Sequence, residues 1–197
     1  MGTPCPFGER DYAVTKLNLQ LACQHLQQGS VIAYPTEAVW GLGCDPYNEA
    51  AVSKLLNLKN RPVHKGLILI GGDIEQFETL LSTLSVGHRN TLEASWPGHI
   101  TWLVPDPGQL IPSWIKGSHQ SVAIRVSAHP AVAQLCAAFG GPIVSTSANE
   151  AGEEEIRSRL ILEEKFAGSI DYVVEGELGQ AEKPSQMRDL ISGKVIR

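Results

Sequence analysis

Residues 122–149 read VAIRVSAHPAVAQLCAAFGGPIVSTSAN, and three pieces of different character follow one another within them. Val122 to Val126 is a short β-type run closed by Ser127. Ala131 to Phe139 is small and apolar, with Pro130 at its first turn and Gly140 just past its end, the punctuation of a helix. Ile143 and Val144 open another buried strand, and Ser145, Thr146, Ser147 and Asn149 follow that apolar pair. Strand, helix and strand in succession predict an α/β fold.

The same alternation extends outward. Val14, Leu17, Leu21 and Ala22 recur at helical spacing with Gly29 placed to close the C-terminus, which predicts a helix over 14–28 and a strand over 31–34. Val52, Leu55, Leu56 and Leu58 form a second apolar stripe after a possible Asn48 cap. Pro62 cannot continue that helix, so Lys59 and Arg61 fall at its C-terminal edge. Leu67 to Ile70, Ile100 to Val104 and Tyr172 to Val174 read as strands; 74–81, 86–95 and a segment from Ile156 or Ser158 to Phe166 read as helices. The run Glu153 to Glu155 is expected to be a solvated, helix-starting face. Gly41 to Gly43 reads as a turn after Pro35, Thr36 and Glu37, which at a strand's end serve an ordinary turn or a ligand; Gly176 to Ser185 reads as a loop or flap, and the region around Gly193 as a terminal hairpin. No repeat or interdomain linker interrupts the pattern, so one domain over 8–197 is expected.

Composition excludes several classes. The 197 residues are 43% hydrophobic and 19% charged, a globular balance unlike that of disordered chains. The longest apolar runs stop far short of the roughly 20 residues that cross a bilayer. Glu9, Arg10 and Asp11 lie close behind Cys5 with no basic flank and apolar stretch, which points away from a secretory signal and toward the cytosol. Cys5, Cys23, Cys44 and Cys136 form no C-x-x-C pair and the six histidines no H-E-x-x-H face, so free thiols and no structural zinc are expected. A net charge of −5 gives no whole-molecule attraction to nucleic acid, so any polyanion site must be a local patch.

Such a patch exists: Lys54, Lys59, Arg61 and Lys65, with His64, in an otherwise acidic chain. A solvated face explains it as readily as an anion site, except that a helix end and Pro62 can aim Lys59 and Arg61 together. Neither G-x-x-x-x-G-K-[ST] nor a complete G-x-G-x-x-G occurs, so a nucleotide would bind in another way. Ser145, Thr146, Ser147 and Asn149 are expected just beyond a strand end, where ligands dock in open α/β sheets, although Ser, Thr and Asn also serve ordinary turns. Ser147 lacks the flanking glycines of a nucleophile elbow. Arg125, inside an apolar run, requires a partner, and a carboxylate ligand would serve.

Taken in order, Tyr34-Pro35-Thr36-Glu37 with Trp40-Gly41-Leu42-Gly43, Lys59-Asn60-Arg61-Pro62, Trp96-Pro97-Gly98 with Thr101, Ala123-Ile124-Arg125-Val126, and Ser145-Thr146-Ser147-Ala148-Asn149 resemble the YrdC-like threonylcarbamoyl-AMP synthase family, short single-domain form. The resemblance implies a twisted mixed α/β sheet with flanking helices and a deep basic concave groove. It implies condensation of L-threonine, bicarbonate or CO2 and ATP, with Mg2+, to L-threonylcarbamoyladenylate and pyrophosphate. The product would serve a tRNA threonylcarbamoyl transferase complex that modifies adenosine 37 of tRNAs reading ANN codons. By motif position Lys59, Arg61, Ser147 and Asn149 match the family's nucleotide tetrad, and Thr36, Arg125, Ser145 and Thr146 its threonine site. Lys65 and Thr101 are expected to line the groove; a partial match over Pro184 to Asp189 adds Ser185, and the last residue adds Arg197. Ala151 departs from the family, many of whose members carry serine there. The competing expectation is a non-catalytic module holding double-stranded RNA or tRNA in the same groove, against which stand the charge and the lack of an aromatic platform among the basic residues.

Overall fold

The computed structural model describes residues 16–150 and 152–197. Among the described residues eight strands are formed: β1 Ile32–Pro35, β2 Trp40–Gly43, β3 Ile68–Gly71, β4 Ile100–Pro105, β5 Ser121–Val126, β6 Ile143–Ser147, β7 Tyr172–Val173 and β8 Gln186–Asp189. The helices are α1 Lys16–Gln27, α2 Glu49–Leu58, α3 Glu78–Leu81, α4 Val86–Glu93, α5 Ser113–Lys116, α6 Pro130–Phe139 and α7 Arg159–Lys165. The strands make one mixed sheet in the order β7-β1-β2-β6-β3-β5-β4-β8. β6 is its spine, antiparallel to β2 on one side and to β3 on the other. Parallel pairs β1–β7, β3–β5 and β4–β8 account for the mixed character.

Both faces of the sheet are covered, which is why its central strands read as continuous apolar runs. In β1 and the residue before it, Val31 and Ala33 join one core while Ile32 and Tyr34 join the other, the period-2 alternation of a strand. Ala22 and Leu26 of α1 meet Val132, Leu135 and Cys136 of α6 over the second face; α2 contributes Ala51, Val52, Leu55 and Leu56 to the first. The helix ends follow their residues. Asn48 accepts from Ala51 N at 3.1 Å to cap α2, and Gly140, at φ 87°, ends α6 in a left-handed conformation.

Several expectations are corrected. Gly41 to Gly43 is strand, not turn. Glycine is needed at 43 because a Cβ there would stand 2.4 Å from the Val144 carbonyl oxygen and 2.8 Å from the Tyr34 ring. Sequence reading mistook a requirement of close packing for one of chain reversal. The predicted helix 74–81 is a 3₁₀ turn, Ile74–Phe77, leading into α3. Glu153 to Glu155 do not start a helix: α7 begins only at Arg159, and the Glu153 carboxylate pairs with Lys165 instead. Residues 14 and 15 of the predicted helix 14–28, the thiol of Cys5 and Ala151 lie outside the described residues. Cys23, Cys44 and Cys136 are buried and free, and burial pushes the last two thiols up to about 12.

Replacing Gly43 with alanine is expected to destabilise the chain by about 1–3 kcal/mol, the usual cost of overpacking, seen as a lower urea midpoint at unchanged m-value. Gly87→Ala is the control, since nothing lies within 4 Å of the added methyl. Equal midpoints for the two variants would refute the packing account.

Candidate active site

The site is built on the C-terminal half of β6. Ser145, Thr146 and Ser147 lie within that strand, opposite Ile68, Leu42 and Gly41 respectively, and not beyond its end as expected. The ladder runs on because Ala148 N still donates to the Trp40 carbonyl at 2.8 Å. Strand pairing therefore holds the backbone of the three hydroxyl residues, and their side chains need not bond it as turn residues do.

A cavity of about 300 Å³ opens over this strand. Thr36, Arg61, Lys65, Arg125, Ser145, Thr146, Ser147, Ser185 and Arg197, all expected at a ligand site, line it. Its volume is at the lower end of the range for small-molecule pockets. An adjoining opening of about 760 Å³ shares His99, Glu155, Pro184, Ser185 and Arg197 with it.

Three expected residues stand behind the cavity wall. Lys59 is 3% exposed, and its ammonium donates to the Ser147 carbonyl at 2.5 Å, to the Asn149 carbonyl, and to Asn149 Oδ1 at 3.4 Å. Asn149 is fastened in turn: its Oδ1 accepts from Ser147 Oγ at 2.5 Å and its Nδ2 donates to the carbonyls of Glu150 and Glu153. Thr101, expected to line the groove, is wholly buried and shares a 2.7 Å hydrogen bond with Ser185, which does line it.

The end of α2 explains why Lys59 and Arg61 part company. Asn60 takes φ 49°, Asn60 N donates to Asn57 O and Arg61 N to Leu56 O, the two bonds of a Schellman motif. This reversal seats Lys59 beneath Ser147 and Asn149, while Arg61 donates from Nε and Nη2 to the Gly66 carbonyl and borders the cavity. Burial, with Arg61 adding to it, pulls the Lys59 ammonium down to about 8. The guanidinium of Arg61 is lowered too, by burial and then by Arg197. Lys54 leaves the basic patch altogether for an ion pair with Asp171 at 2.7 Å.

Arg125 finds its partner within the chain. Its Nη2 donates to Glu37 Oε2 at 2.9 Å, with side chains 7% and 15% exposed. Glu37 Oε1 accepts from Ser127 Oγ at 2.7 Å and from Ala128 N at 3.2 Å. Burial pushes the Glu37 carboxyl up, but Arg125 and the Ser127 hydroxyl outweigh it and hold the group below its usual range. A buried guanidinium so compensated is already charged and oriented.

Sequence reading left Glu37, in the Tyr34–Glu37 motif, open between an ordinary turn and a binding role, and passed over His99, one residue before β4. Their signal was position inside motifs already singled out. Lys116, His119 and Glu155 also line the cavity and carried no such signal. Lys116 is itself paired with Asp106 at 2.8 Å.

No group of three or more His, Cys, Asp or Glu side chains that could hold a metal occurs among the described residues. The oxygens near the cavity are mainly hydroxyls, an amide and the Glu155 carboxylate, hard donors that suit Mg2+ only where a ligand's phosphates supply most of its coordination.

Known proteins resemble this chain in sequence and in fold. A synthase from Stutzerimonas stutzeri, "Threonylcarbamoyl-AMP synthase", is 54% identical over 179 residues, covering 91% of this chain and 96% of its own. A protein of the same name from Pseudomonas savastanoi pv. phaseolicola is 50% identical over 184 residues, covering 93% and 98%. Among solved structures, P. abyssi Sua5 complexed with L-threonine superposes with TM-score 0.83 at 28% identity over 90% of this chain, which spans only 52% of that protein. E. coli YciO, at 24% identity and TM-score 0.81 over 92% of this chain and 88% of its own, shares the fold. The family model Sua5_yciO_yrdC, described as telomere recombination, matches residues 24–197. With the motifs, the eight-stranded sheet and near full-length relatives in agreement, this chain belongs to the Sua5/YciO/YrdC family.

Proposed function

We propose that this chain is a threonylcarbamoyl-AMP synthase, joining L-threonine, bicarbonate or CO2 and ATP into L-threonylcarbamoyladenylate with release of pyrophosphate. Relatives of that name are half identical to it over nearly the whole of both chains. The observation that carries the reading is one cavity bordered by the hydroxyl run of β6, the anchored guanidinium of Arg125, and Arg61 and Arg197.

The reaction sets a carbamate anion against a polyphosphate, so the protein must supply cations and donors where negative charge collects. In this reading Arg125, with Thr36, Ser145 and Thr146, holds threonine and grips its carboxylate, as a planar guanidinium does well. Arg61, Lys65 and Arg197 meet the nucleotide phosphates, and Ser147 offers its hydroxyl beside them. Lys59 and Asn149 act from behind the wall, keeping the Ser147 backbone and hydroxyl in place and adding positive charge beneath the phosphates. Mg2+ would bind through ATP phosphates near Ser147 and Asn149 and would neutralise part of their charge. A preformed carbamate needs no general base at the phosphorus, so positioning and charge stabilisation carry the catalysis.

The synthase reading places the protein in the cytoplasm, upstream of a tRNA threonylcarbamoyl transferase complex that modifies adenosine 37 of ANN-reading tRNAs. No helix among the described residues is long and apolar enough to cross a membrane.

Purified protein with ATP, Mg2+, bicarbonate and threonine is expected to release pyrophosphate, and omission of threonine or bicarbonate to abolish release. No release under any condition, with salt-sensitive RNA binding retained, would replace the synthase by an RNA-binding module. A second expectation concerns Lys59, charged below its pKa of about 8 and neutral above it. At saturating threonine and bicarbonate, kcat/KM for ATP should fall as pH rises through about 8, and Lys59→Met should lower it about 100-fold. A profile flat from pH 7 to about pH 9.5 would remove the Lys59 charge from the mechanism.

A further inference from the structure

His99 lies between the cavity and the opening beside it and borders both. Its Nδ1 is 3.2 Å from Arg125 Nη1, and its Nε2 is 2.6 Å from the Lys183 carbonyl oxygen. Arginine offers only donors and a carbonyl only accepts. The imidazole must therefore accept at Nδ1 and donate at Nε2, which specifies a neutral ring in one tautomer.

We propose that His99 is a positioning residue for the threonine site: it sets the guanidinium plane of Arg125 and ties that orientation to closure of segment 177–185. The proposal rests on the reading that Arg125 grips the threonine carboxylate. Glu37 alone would anchor one terminal nitrogen of the guanidinium and leave the group free to swing about that contact. With His99 on the other terminal nitrogen the plane is held at two points. Two of the five N–H donors are thereby committed, and the others remain for a ligand.

Segment 177–185 carries no helix or strand, and contacts from outside it hold it in place. Gly179 N donates to the Thr36 carbonyl and Ala181 N to the Glu37 carbonyl, both at 2.9 Å. The other ring contact is between His129 Nε2 and the Glu177 carbonyl at 3.0 Å. Glu37 thus serves the segment with its backbone and Arg125 with its carboxylate, while His99 serves both with the two nitrogens of one ring. Displacing the segment removes the acceptor that selects the His99 tautomer and loosens the guanidinium. A shift of that size at a binding group is enough to cost substantial rate, because the reacting atoms tolerate little misplacement.

The test separates the two ring nitrogens. Asparagine can present its carboxamide oxygen where Nδ1 stands, and glutamine its amide nitrogen where Nε2 stands. Pyrophosphate release would be measured with threonine varied at saturating ATP, then ATP varied at saturating threonine, for His99→Ala, His99→Asn, His99→Gln and Arg125→Lys. His99→Ala is expected to raise the threonine KM about 10-fold, the effect of one lost charge-assisted hydrogen bond, with the ATP KM within about twofold. His99→Asn should recover most of the threonine KM, and His99→Gln should not. Should the alanine variant fold poorly by thermal melting, the near-isosteric Asn and Gln pair carries the comparison. Equal threonine KM values for these two, or a lower one for Gln, overturn the proposal. If Arg125→Lys raises the threonine KM and no His99 variant does, His99 has no positioning role while the threonine site stands. If Arg125→Lys leaves it unchanged, the Arg125 assignment falls and the proposal falls with it.

Discussion

The structure depends on the close approach of β2 to β6. β6 is the only strand linking the β7-β1-β2 half of the described sheet to the β3-β5-β4-β8 half. It can do so because Gly43 has no Cβ to strike the Val144 carbonyl, and because the buried Tyr34 hydroxyl donates to that same carbonyl at 3.2 Å. Both contacts lie one residue before Ser145, so the packing that joins the halves also fixes where the hydroxyl run enters the cavity. A side chain at 43 would push β2 away and with it the Trp40 carbonyl that receives Ala148. Core packing and site geometry are here a single constraint.

Charge is arranged around that strand in two layers. Lys59 and Asn149 lie behind it, bonded to each other and to Ser147, so β6 does not end in a frayed loop. Arg61, Lys65 and Arg197 border the open side. Burying a lysine is costly, and its ammonium is retained here by carbonyl oxygens and an amide oxygen, not by a carboxylate. A carboxylate at that point would cancel the positive charge beneath the cavity. Arg125 shows the other solution: a carboxylate does compensate it, but Glu37 engages only one of its terminal nitrogens.

Much of this was legible in the residues. Apolar runs and their Pro, Gly and Asn punctuation located β3 to β6, α2 and α6 to within a few residues, because local propensity and burial agreed there. Legibility ended where one residue type serves two purposes. Gly41 and Gly43 read as a turn since glycine is common in turns, and only the neighbouring strand reveals that the need was for space. Ser145, Thr146 and Ser147 read as a strand's aftermath since hydroxyl residues favour turns, and pairing with β2 and β3 overrides that preference.

By itself the sequence determined the fold class, the termini of α2 and α6 and the residue types that border the cavity, since these follow from periodicity and from chemistry carried within short segments. Tertiary structure alone decided which nitrogen faces which oxygen. Lys59 and Arg61 are two residues apart yet fall on different sides of a cavity wall, because one positive φ at Asn60 turns the chain between them. Glu37, His99 and Arg125 are far apart in sequence and converge through strand order, which no local pattern encodes.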